Sequence, residues 1–461
     1  MIRFILNNKD IITTLSPGML LLDFVRYHQH LTGTKIGCNE GDCGACTMLC
    51  GELEDDEIQY RSLTSCLTPL GNAHGKHIIT VEGVNRETLN PVQQAMHDES
   101  ATQCGFCTPG FVVSLAGFCL DKKAPSLQRA IAAIDGNICR CTGYKSIERA
   151  SAKVAALMEQ RKTTEAISFA IDKKLVPEWF AGIKERLKKL SLELNGQLLP
   201  VDAAEWVSGG TDIYVQKHEG ISHSSIRFLA TDPTLKGIQQ KDNRCYIGAA
   251  TSVAELSESP VMQQYFPNLA KYIKLVSSTP IRNIATIGGN LINASPIGDF
   301  TIFFLALNAT VLFTDGTHSR ELPLRKLYKG YKTLDKQPGE YLEKIGFDLP
   351  GANCHFHFEK VSKRTHLDIA SVNSAILLTI KNNTIETAGI SAGGVAPVPF
   401  FLEKTSAWLT GKPVTDETIA TAVDMAKQEV SPISDARGTA DYKRLLLAQL
   451  IKAHFLNIVI T

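Results

Sequence analysis

The positions of the cysteines constrain the fold of this chain more than any other feature of its sequence. Of the 12 cysteines in 461 residues, only Cys245 and Cys354 lie beyond residue 141. Thiols crowded into one part of a chain are typical of metal binding in a reducing compartment, whereas disulfide frameworks belong to secreted proteins. The first third of the chain is therefore predicted to be built around metal centres.

The first group of cysteines has the spacing of a plant-type ferredoxin, Cys38-x4-Cys43-x2-Cys46 followed by Cys66. In that pattern one tight loop supplies three thiolates to a [2Fe–2S] cluster and a distant turn supplies the fourth. Glycines in the loop let its backbone fold around a cluster and offer N–H groups to the sulfur atoms; they are Gly37, Gly41 and Gly44. A four-cysteine zinc site or a pair of disulfides is the alternative, although zinc usually takes two CxxC-like pairs.

A second group of four cysteines consists of two close pairs, Cys104-x2-Cys107 in QCGFCTPG and Cys139-x-Cys141 in NICRCTGY. Taken alone, these pairs could hold zinc as readily as iron. A redox cluster already precedes them, and each pair lies where one predicted helix ends and another begins, so a second [2Fe–2S] cluster is predicted. Cys50, on a predicted strand, and Cys119, inside a predicted helix, are expected to be buried.

Length and residue pattern predict several domains. At roughly 100–200 residues per domain, a chain of 461 residues corresponds to about three. The predicted boundaries are 1–85, 86–158, a polar linker at 159–185, 186–350 and 351–461. Helices are predicted in the second region at 91–96, 109–120, 126–134 and 147–158. The last region is predicted to contain strands at 355–361, 373–381 and 386–391 and helices at 401–409, 416–428 and 438–457.

Charge and hydropathy argue against two classes of partner. A formal net charge of +1 gives no basic field that would attract nucleic acid or an anionic membrane. The first residues, MIRFILNNKDIITTLSPG, lack the long apolar core of a signal peptide. The longest apolar stretches, such as 111–120, are too short to span a bilayer. We therefore expect a cytoplasmic location.

The motifs QCGFCTPG and NICRCTGY resemble the helical [2Fe–2S] domain of the molybdenum hydroxylases. The combination of all the regions on one chain resembles the iron–sulfur/FAD small subunit of bacterial xanthine dehydrogenases over essentially the whole length. This resemblance implies an α+β multidomain fold. Its parts would be a β-grasp plant-type ferredoxin domain (1–85), a four-helix [2Fe–2S] domain (86–158), a vanillyl-alcohol-oxidase-type FAD domain (186–350) and an α+β C-terminal flavoprotein domain (351–461).

The predicted flavin site depends mainly on this resemblance. No G-x-G-x-x-G follows a strand, so a Rossmann dinucleotide site is not supported. Each glycine-rich turn taken alone is more simply interpreted as an ordinary turn. Together, the segments 206–213 and 281–299 resemble the FAD-binding segments of the family. The resemblance implies FAD contacts at Val207, Ser208, Gly209, Gly210, Thr211, Asp212, Ile213, Thr286, Gly289, Asn290, Asp299, Leu342 and Lys360.

The charged stretch 360–370, which ends in Asp-Ile-Ala, resembles the loop that lies near the flavin in this family. Here it carries a single acid, Asp368. Positive charge near the isoalloxazine would stabilise an anionic reduced flavin and raise its potential, so the electron acceptor could be NAD+ or another oxidant. A solvated surface turn is the alternative interpretation.

The resemblance implies electron transfer rather than acid–base catalysis. Electrons would leave a molybdenum cofactor on a partner chain, because the predicted regions leave no room for that domain. They would pass through the helical-domain cluster, the plant-type cluster and FAD to NAD+, in the oxidation of hypoxanthine or xanthine to urate. No catalytic side chain is predicted, because flavin N5 would carry the hydride, and Gln103 would contact the pterin. The expected partner is the molybdenum-binding large subunit, in a heterotetramer with two of each chain.

Three other functions stay open at this point. The partner could oxidise another N-heterocycle or an aldehyde instead of a purine. The chain could be a stand-alone NADH-dependent reductase, which co-purification of a molybdenum-containing chain would exclude. It could also be a zinc-stabilised binding or scaffold protein, which visible colour would exclude because zinc proteins are colourless.

Overall fold

The computed structural model describes residues 1–194, 205–364 and 367–459. It contains two compact units. The first unit comprises Met1–Thr231 and Ser278–Ala285, and the second unit comprises Asp232–Ser277 and Thr286–Thr461. Both mix helices and sheets, which confirms the predicted α+β multidomain class. Within the described ranges, no helix is long and apolar enough to cross a membrane.

The first unit begins with a five-stranded sheet formed by β1 (Ile2–Leu6), β2 (Lys9–Thr13), β3 (Thr47–Glu54), β4 (Glu57–Thr64) and β5 (His77–Ile79). Its strand order is β2-β1-β5-β3-β4, and only β1 and β5 pair in parallel. Alternate residues of β1 enter different cores, as the two-residue period of a strand requires: Phe4 joins the core around Cys46 and Cys66, and Ile5 joins the core of the helical region.

A helix follows the first hairpin, and its geometry changes along its length. A short α-helix, α1 (Leu21–Asp23), continues as a π-helix over Phe24–His28. Leu21, Phe24 and Val25 are buried in the core that also contains Cys46 and Cys66. The helix therefore packs beside the first group of thiols.

The helical region contains α2 (Val81–Val84), α3 (Pro91–Asp98), α4 (Thr108–Leu120), α5 (Leu127–Ala133) and α6 (Lys145–Glu159). Asn90 caps α3 in a capping box with Gln93, and Ser126 caps α5 by accepting from the N–H of Arg129. Helix α4 is buried on nearly all sides, which explains its almost uniformly apolar sequence.

The stretch that we predicted to be a linker, 159–185, is largely helical in the structure. It holds α7 (Ala166–Asp172), a 3-10 turn (Glu178–Gly182) and the beginning of α8 (Ile183–Leu194). Phe169 and Phe180 are buried in the core that α4 occupies. Although most residues of this stretch are polar, a few apolar side chains pack into the core and hold the stretch against the first unit.

A buried histidine connects this helical stretch to the sheet. The ring nitrogens of His77 lie 2.8 Å from the hydroxyl of Tyr60 and 2.8 Å from the carbonyl oxygen of Asn7. Because a carbonyl can only accept, Nε2 of His77 carries the proton and Nδ1 accepts from Tyr60. Burial lowers the pKa of His77 to about 3, so the ring is neutral. Trp179 and Phe180 pack edge-on against it.

The first unit is completed by β6 (Glu205–Val207), α9 (Ile213–His223), β7 (Ile226–Phe228) and the helix Thr279–Ile284. Strands β6 and β7 pair in parallel, as expected of a strand–helix–strand connection. The glycine turn 208–212 lies between β6 and α9. Val207, Tyr214 and Phe228 bury their side chains in the core around Cys46 and Cys66.

The first strands of the second unit are β8 (Ile238–Lys241), β9 (Arg244–Gly248), β10 (Thr310–Thr314), β11 (Ser319–Pro323), β12 (Tyr328–Gly330), β13 (Thr333–Leu334) and β14 (Tyr341–Asp348). Five of them form an antiparallel sheet of order β11-β10-β14-β9-β8. The helices are α10 (Val253–Glu258), α11 (Pro260–Tyr265), α12 (Leu269–Lys274), α13 (Thr279–Ile284, of the first unit), α14 (Ile287–Ile292) and α15 (Asp299–Ala306).

The second unit ends with an antiparallel sheet of β15 (Cys354–Val361), β16 (Val372–Lys381), β17 (Thr384–Gly393) and β18 (Phe400–Phe401). Helices α16 (Glu403–Leu409), α17 (Asp416–Glu429) and α18 (Ala440–Val459) follow it. Ile376 of β16 and Ile451 of α18 are buried in one apolar core. The three strands and three helices predicted for this region are all present.

Replacing Tyr60 with phenylalanine should destabilise the first unit by about 1–3 kcal/mol, because Nδ1 of His77 would be left buried without a donor. The urea midpoint of the purified protein, followed by circular dichroism, measures the change. Tyr331→Phe is the matched control, since Tyr331 is 67% exposed. An unchanged midpoint in the Tyr60 variant would contradict the hydrogen-bonding scheme at His77.

Candidate iron–sulfur and flavin sites

The four thiols of the first predicted cluster come from the loop before β3 and the turn after β4. Cys38 and Cys43 are in mutual contact, and the backbone N–H of each lies 3.4 Å from the sulfur of the other. The side chains of Cys46 and Cys66 form a second hydrogen-bonded pair. In the part of the chain that the structure describes, no three potential metal ligands converge closely enough to surround one ion. The thiols are instead arranged as two neighbouring pairs.

The protonation of these pairs shows what they could hold. The hydrogen bond from Cys43 lowers the pKa of the Cys38 thiol to about 5 and raises the pKa of Cys43 itself. The bond between Cys66 and Cys46 likewise lowers the pKa of Cys46 and raises that of Cys66. Each pair keeps one proton because two thiolates in contact repel each other. A cationic iron centre would remove that repulsion, so the donor set fits a [2Fe–2S] cluster.

The loop backbone supports this arrangement of sulfur atoms. Gly41 and Gly44 have φ angles of +79° and +67°, which side-chain-bearing residues rarely adopt. A Cβ atom on Gly37 would lie 2.5 Å from Sγ of Cys43, so glycine is required there by the thiol itself. The N–H of Glu40 donates to Sγ of Cys38 at 3.4 Å. Such N–H···S bonds stabilise thiolate charge and tune the potential of a bound cluster.

The second group of thiols is also arranged as two pairs. Cys104 and Cys141 are exposed, and their sulfur atoms lie 3.6 Å apart. Cys107, directly before α4, forms a side-chain hydrogen bond with the buried Cys139. Burial and this bond raise the pKa of Cys107 to about 12. Burial also acts to raise the pKa of Cys139, but hydrogen bonds, chiefly from the Thr142 hydroxyl at 3.2 Å, make the net shift downward.

The two groups of thiols are joined by a direct backbone contact. The N–H of Ile138 donates to the carbonyl oxygen of Cys43 at 2.9 Å. Asn137 donates to the carbonyl of Gly44 at 3.1 Å and accepts from Ser114 at 2.7 Å. One hydrogen bond therefore connects the predicted ligand Cys43 to the residue before the predicted ligand Cys139. Asn137 belongs to the motif NICRCTGY, but nothing in that motif predicts its bridging position.

The remaining cysteines, which are not predicted ligands, are Cys50, Cys119, Cys245 and Cys354. Cys50 and Cys119 are buried, which confirms the prediction for both. Burial raises the pKa of Cys119 and of Cys245, so both are expected to be neutral thiols. Gln103, predicted to contact a pterin, is exposed beside Cys104.

The first predicted flavin segment, residues 207–213, lies against the ferredoxin region within the first unit. The side-chain amide of Asn72 donates to the carbonyl of Ser208 at 3.0 Å. A Cβ atom on Gly210 would lie 2.7 Å from the carbonyl oxygen of Leu67, and one on Gly209 would overlap the carbonyl of Ile284. These glycines are thus required by contacts with the protein's own backbone.

One polar atom of this segment is available to a ligand. The hydroxyl oxygen of Ser208 is buried and has no hydrogen-bond partner among the described residues. A buried polar group without a partner costs about 1–3 kcal/mol, so a ligand that hydrogen-bonds to it is favoured. Ser208 is one of the predicted FAD contacts, and its environment fits that role.

The second predicted flavin segment surrounds α14 in the second unit. Thr286 caps this helix by accepting from the N–H of Gly289 at 3.1 Å. A Cβ atom on Gly289 would meet only the Thr286 hydroxyl, so this glycine keeps open space beside it. Asn290 accepts from the N–H of Thr301 at 3.2 Å. Leu342 is buried in β14, and the carbonyl of the next residue, Glu343, accepts from Ala249 at 2.9 Å.

A buried ion pair lies beside this segment. Nζ of Lys360 is 2.8 Å from Oδ2 of Asp299 and 3.0 Å from the carbonyl of Leu275. The side chains of Lys360 and Asp299 are only 4% and 13% exposed. The amide of Asn373 donates to Oδ1 of Asp299 at 2.6 Å, while its own Oδ1 is buried and has no hydrogen-bond partner within the described ranges. The structure therefore brings together two predicted residues and adds Asn373.

Asn373 was missed because sequence reasoning treated β16 only as a strand. The available signal was a run of polar residues at the beginning of an otherwise apolar strand, VNSAILLTIK. Its unsatisfied amide oxygen offers a second acceptor for a polar ligand, alongside the ion pair.

The charged loop 360–370 is described except for residues 365 and 366, which lie outside the described ranges. Its single acid, Asp368, accepts from the N–H of Arg364 at 2.9 Å. Burial acts to raise the pKa of Asp368, but this bond and that to Ile369 outweigh it and lower the pKa. Lys363 donates to the carbonyl of Ala436 at 2.9 Å.

Four family models match the chain. Residues 4–71 match a 2Fe-2S iron-sulfur cluster binding domain, and residues 80–152 match a [2Fe-2S] binding domain. Residues 191–349 match the FAD binding domain in molybdopterin dehydrogenase, and residues 357–458 match the CO dehydrogenase flavoprotein C-terminal domain. Two iron–sulfur domain models therefore match the first third of the chain, and two flavoprotein domain models match most of the remainder.

Individual proteins with known activities are also similar to this chain. A xanthine dehydrogenase of Emericella nidulans is 29% identical, covering 90% of this chain and 35% of that protein. Aldehyde oxidase 1 of Bos taurus is 26% identical, covering 96% of this chain and 38% of that protein. A solved carbon monoxide dehydrogenase from Hydrogenophaga pseudoflava is similar with a TM-score of 0.51 at 26% identity, covering 54% of this chain and 86% of that chain. This chain therefore spans little more than a third of the two curated relatives.

Cys43→Ser should remove the plant-type cluster alone, because serine replaces one of its four predicted thiolates. Iron should fall from roughly four to roughly two atoms per chain, with bound FAD unchanged. Chemical iron and flavin analysis of the purified variant measures both. Cys354→Ser is the control, since this thiol is a neighbour of Thr379 and not a predicted ligand. Full iron in the Cys43 variant would disprove the assignment.

Lys360→Met should destabilise the second unit by about 3–5 kcal/mol, because Asp299 would be left buried without its counter-charge. We also expect weaker retention of FAD on gel filtration. Lys344→Met is the control, because its 3.2 Å pair with Glu343 is at the surface and worth about 0–1 kcal/mol. Equal urea midpoints for the two variants would show that the buried pair does not support this site.

Proposed function

We propose that this chain is the electron-transfer subunit of a molybdenum hydroxylase, passing electrons from a molybdenum cofactor on a partner chain through two [2Fe–2S] clusters and FAD to NAD+. The proposed ligands of the plant-type cluster are Cys38, Cys43, Cys46 and Cys66, and those of the helical-domain cluster are Cys104, Cys107, Cys139 and Cys141. The proposed FAD contacts are the predicted residues in segment 207–213 with Thr286, Gly289, Asn290, Asp299, Leu342 and Lys360.

The observation that carries this proposal is the 2.9 Å hydrogen bond from Ile138 to the carbonyl of Cys43. The route between the two groups of thiols runs from Cys43 across this hydrogen bond to Ile138, and from there through one peptide bond to Cys139. A chain of covalent bonds and one hydrogen bond is a short route between two redox sites. Independent structural zinc sites would not require such a contact.

A second contact supports the order of the carriers. Gly210 of the first flavin segment approaches the carbonyl of Leu67, and Leu67 directly follows the predicted ligand Cys66. This contact supports placing the proposed plant-type cluster, and not the helical-domain cluster, beside the proposed FAD contacts. Bound at these sites, the clusters would carry single electrons and FAD would exchange them for the electron pair that NAD+ takes. The protein supplies positions and hydrogen bonds, and no side chain is proposed as an acid or base.

The proposed surface for the partner lies around the second group of thiols. Cys104 and Cys141 are exposed, and Phe106 and Tyr144 beside them are 48% and 38% exposed. Aromatic side chains at a surface are common centres of protein interfaces. Gln103, on the same turn, is proposed to contact the pterin of the partner. We propose a heterotetramer with two of each chain, located in the cytoplasm.

Xanthine or hypoxanthine is the proposed substrate of the partner, with urate as product. The fusion of all the regions on one chain and the coverage of 90% of this chain by a xanthine dehydrogenase support it. The similarity to aldehyde oxidase 1 supports the alternative, in which the same electron-transfer chain serves an aldehyde or another N-heterocycle.

Co-expression with the molybdenum-binding chain tests this function. The purified complex should reduce NAD+ when given xanthine, and should do so far more slowly with an aldehyde. In a complex containing Cys43→Ser, xanthine should still reduce the helical-domain cluster but not FAD, as followed by electron paramagnetic resonance and flavin absorbance. Flavin reduction at the wild-type rate in that variant would contradict the proposed route, and activity with aldehydes alone would favour the alternative substrate.

A further inference from the structure

Helix α13 contacts three parts of the first unit that carry predicted cofactor residues. We propose that Asp135 is a positioning residue, which holds α13 so that the first cluster loop and the first flavin segment stay at a fixed separation. This inference rests on the proposed electron transfer. It assigns to Asp135 and Arg282 the role of holding two cofactor sites at a fixed separation.

The apolar side of α13 lies between the cluster loop and the flavin segment. A Cβ atom on Gly41 would lie 2.7 Å from Cδ1 of Ile281, so the isoleucine side chain covers the loop between Cys38 and Cys43. At the other end of the helix, the carbonyl of Ile284 occupies the place where a side chain on Gly209 would be. One short helix therefore touches both sites between which electrons are proposed to pass.

The polar side of α13 is held by the carboxylate of Asp135. This carboxylate accepts from the N–H of Thr279 at 2.7 Å, from its hydroxyl at 3.0 Å and from the guanidinium of Arg282 at 2.6 Å. The side chain of Arg282 is only 13% exposed. Charge-assisted bonds of this kind are short and directional, so they fix both the position and the rotation of the helix.

The ferredoxin region supplies a further anchor. The amide of Asn283 donates to the carbonyl of Ser62, in β4, at 2.8 Å. With six residues, α13 is far too short to be stable by itself. Its position is therefore set by these contacts and by the packing of Ile281 and Ile284.

Asp135 also belongs to the segment that joins the two cluster sites. Asn137 and Ile138, two and three residues later, bond to the first cluster loop, and Cys139 is a predicted ligand of the second cluster. A single stretch of five residues thus connects the second cluster, the first cluster loop and α13. Movement at Asp135 would change the separation of the sites, and that separation controls the rate of electron transfer.

Asp135→Asn in the full-length holoprotein tests the inference. We expect the rate at which the reduced plant-type cluster reduces FAD, followed by stopped-flow absorbance, to fall roughly tenfold or more. Iron, sulfide and FAD contents should be unchanged, and the amide hydrogens of 279–284 should exchange faster. Arg282→Lys, which keeps Asp135 and the positive charge beside it, should retain most of the wild-type rate.

Arg129→Gln is the matched control, because it breaks the ion pair that Arg129, on α5, makes with Asp121 in the same unit, and it leaves the hydrogen bonds of Asp135 in place. Thr279→Val provides a milder second variant should Asp135→Asn not fold, since it removes only the hydroxyl bonds, and it should slow transfer severalfold. Wild-type transfer rates in Asp135→Asn or Thr279→Val, or a loss no larger than in Arg129→Gln, would overturn the inference alone. Absence of flavin reduction in the wild-type chain would instead contradict the proposed function.

Discussion

The close approach of two backbone loops is the constraint on which the first unit depends. A Cβ atom on Gly44, in the first cluster loop, would lie 2.3 Å from the carbonyl oxygen of Gly136, and one on Gly110, at the beginning of α4, would lie 2.3 Å from the carbonyl oxygen of Gly44. The absence of both side chains leaves room for Ile138 to reach the carbonyl of Cys43 and for Asn137 to reach that of Gly44. This contact is the short route that joins the two groups of thiols.

The candidate flavin residues are positioned in two ways: by the close approach of backbone segments in the first unit, and by buried polar contacts in the second unit. Gly210 allows the first flavin segment to lie against Leu67, beside the predicted ligand Cys66. Within the second unit, the pair formed by Lys360 and Asp299 is buried and extended by Asn373. Removing either partner of such a pair is strongly destabilising, because the other charge is then buried without a counter-charge. The unsatisfied oxygen of Asn373 adds an acceptor that only a polar ligand or water would satisfy.

Cysteine spacings and helices, which depend on residues close together in the chain, were predictable from the sequence. Contacts between residues distant in the chain were not. The cysteine spacings located both groups of thiols, and the residue pattern predicted helices close to Pro91–Asp98 and Thr108–Leu120. The bridging position of Asn137, the amide of Asn373 and the anchoring of α13 by Asp135 all involve partners distant in the chain. The stretch 159–185 was predicted to be a linker because polar residues outnumber the few, such as Phe180, that anchor it.

The eight predicted thiols are proposed to hold two iron–sulfur clusters in a chain that also binds FAD. An absorption spectrum of the anaerobically purified protein, combined with iron, sulfide, zinc and flavin analysis, tests this proposal most directly. We expect roughly four irons, four sulfides and one FAD per chain, with no zinc and with absorption across the visible region. A colourless protein that contains zinc and no flavin would contradict it, because its cysteines would then stabilise structure and carry no electrons.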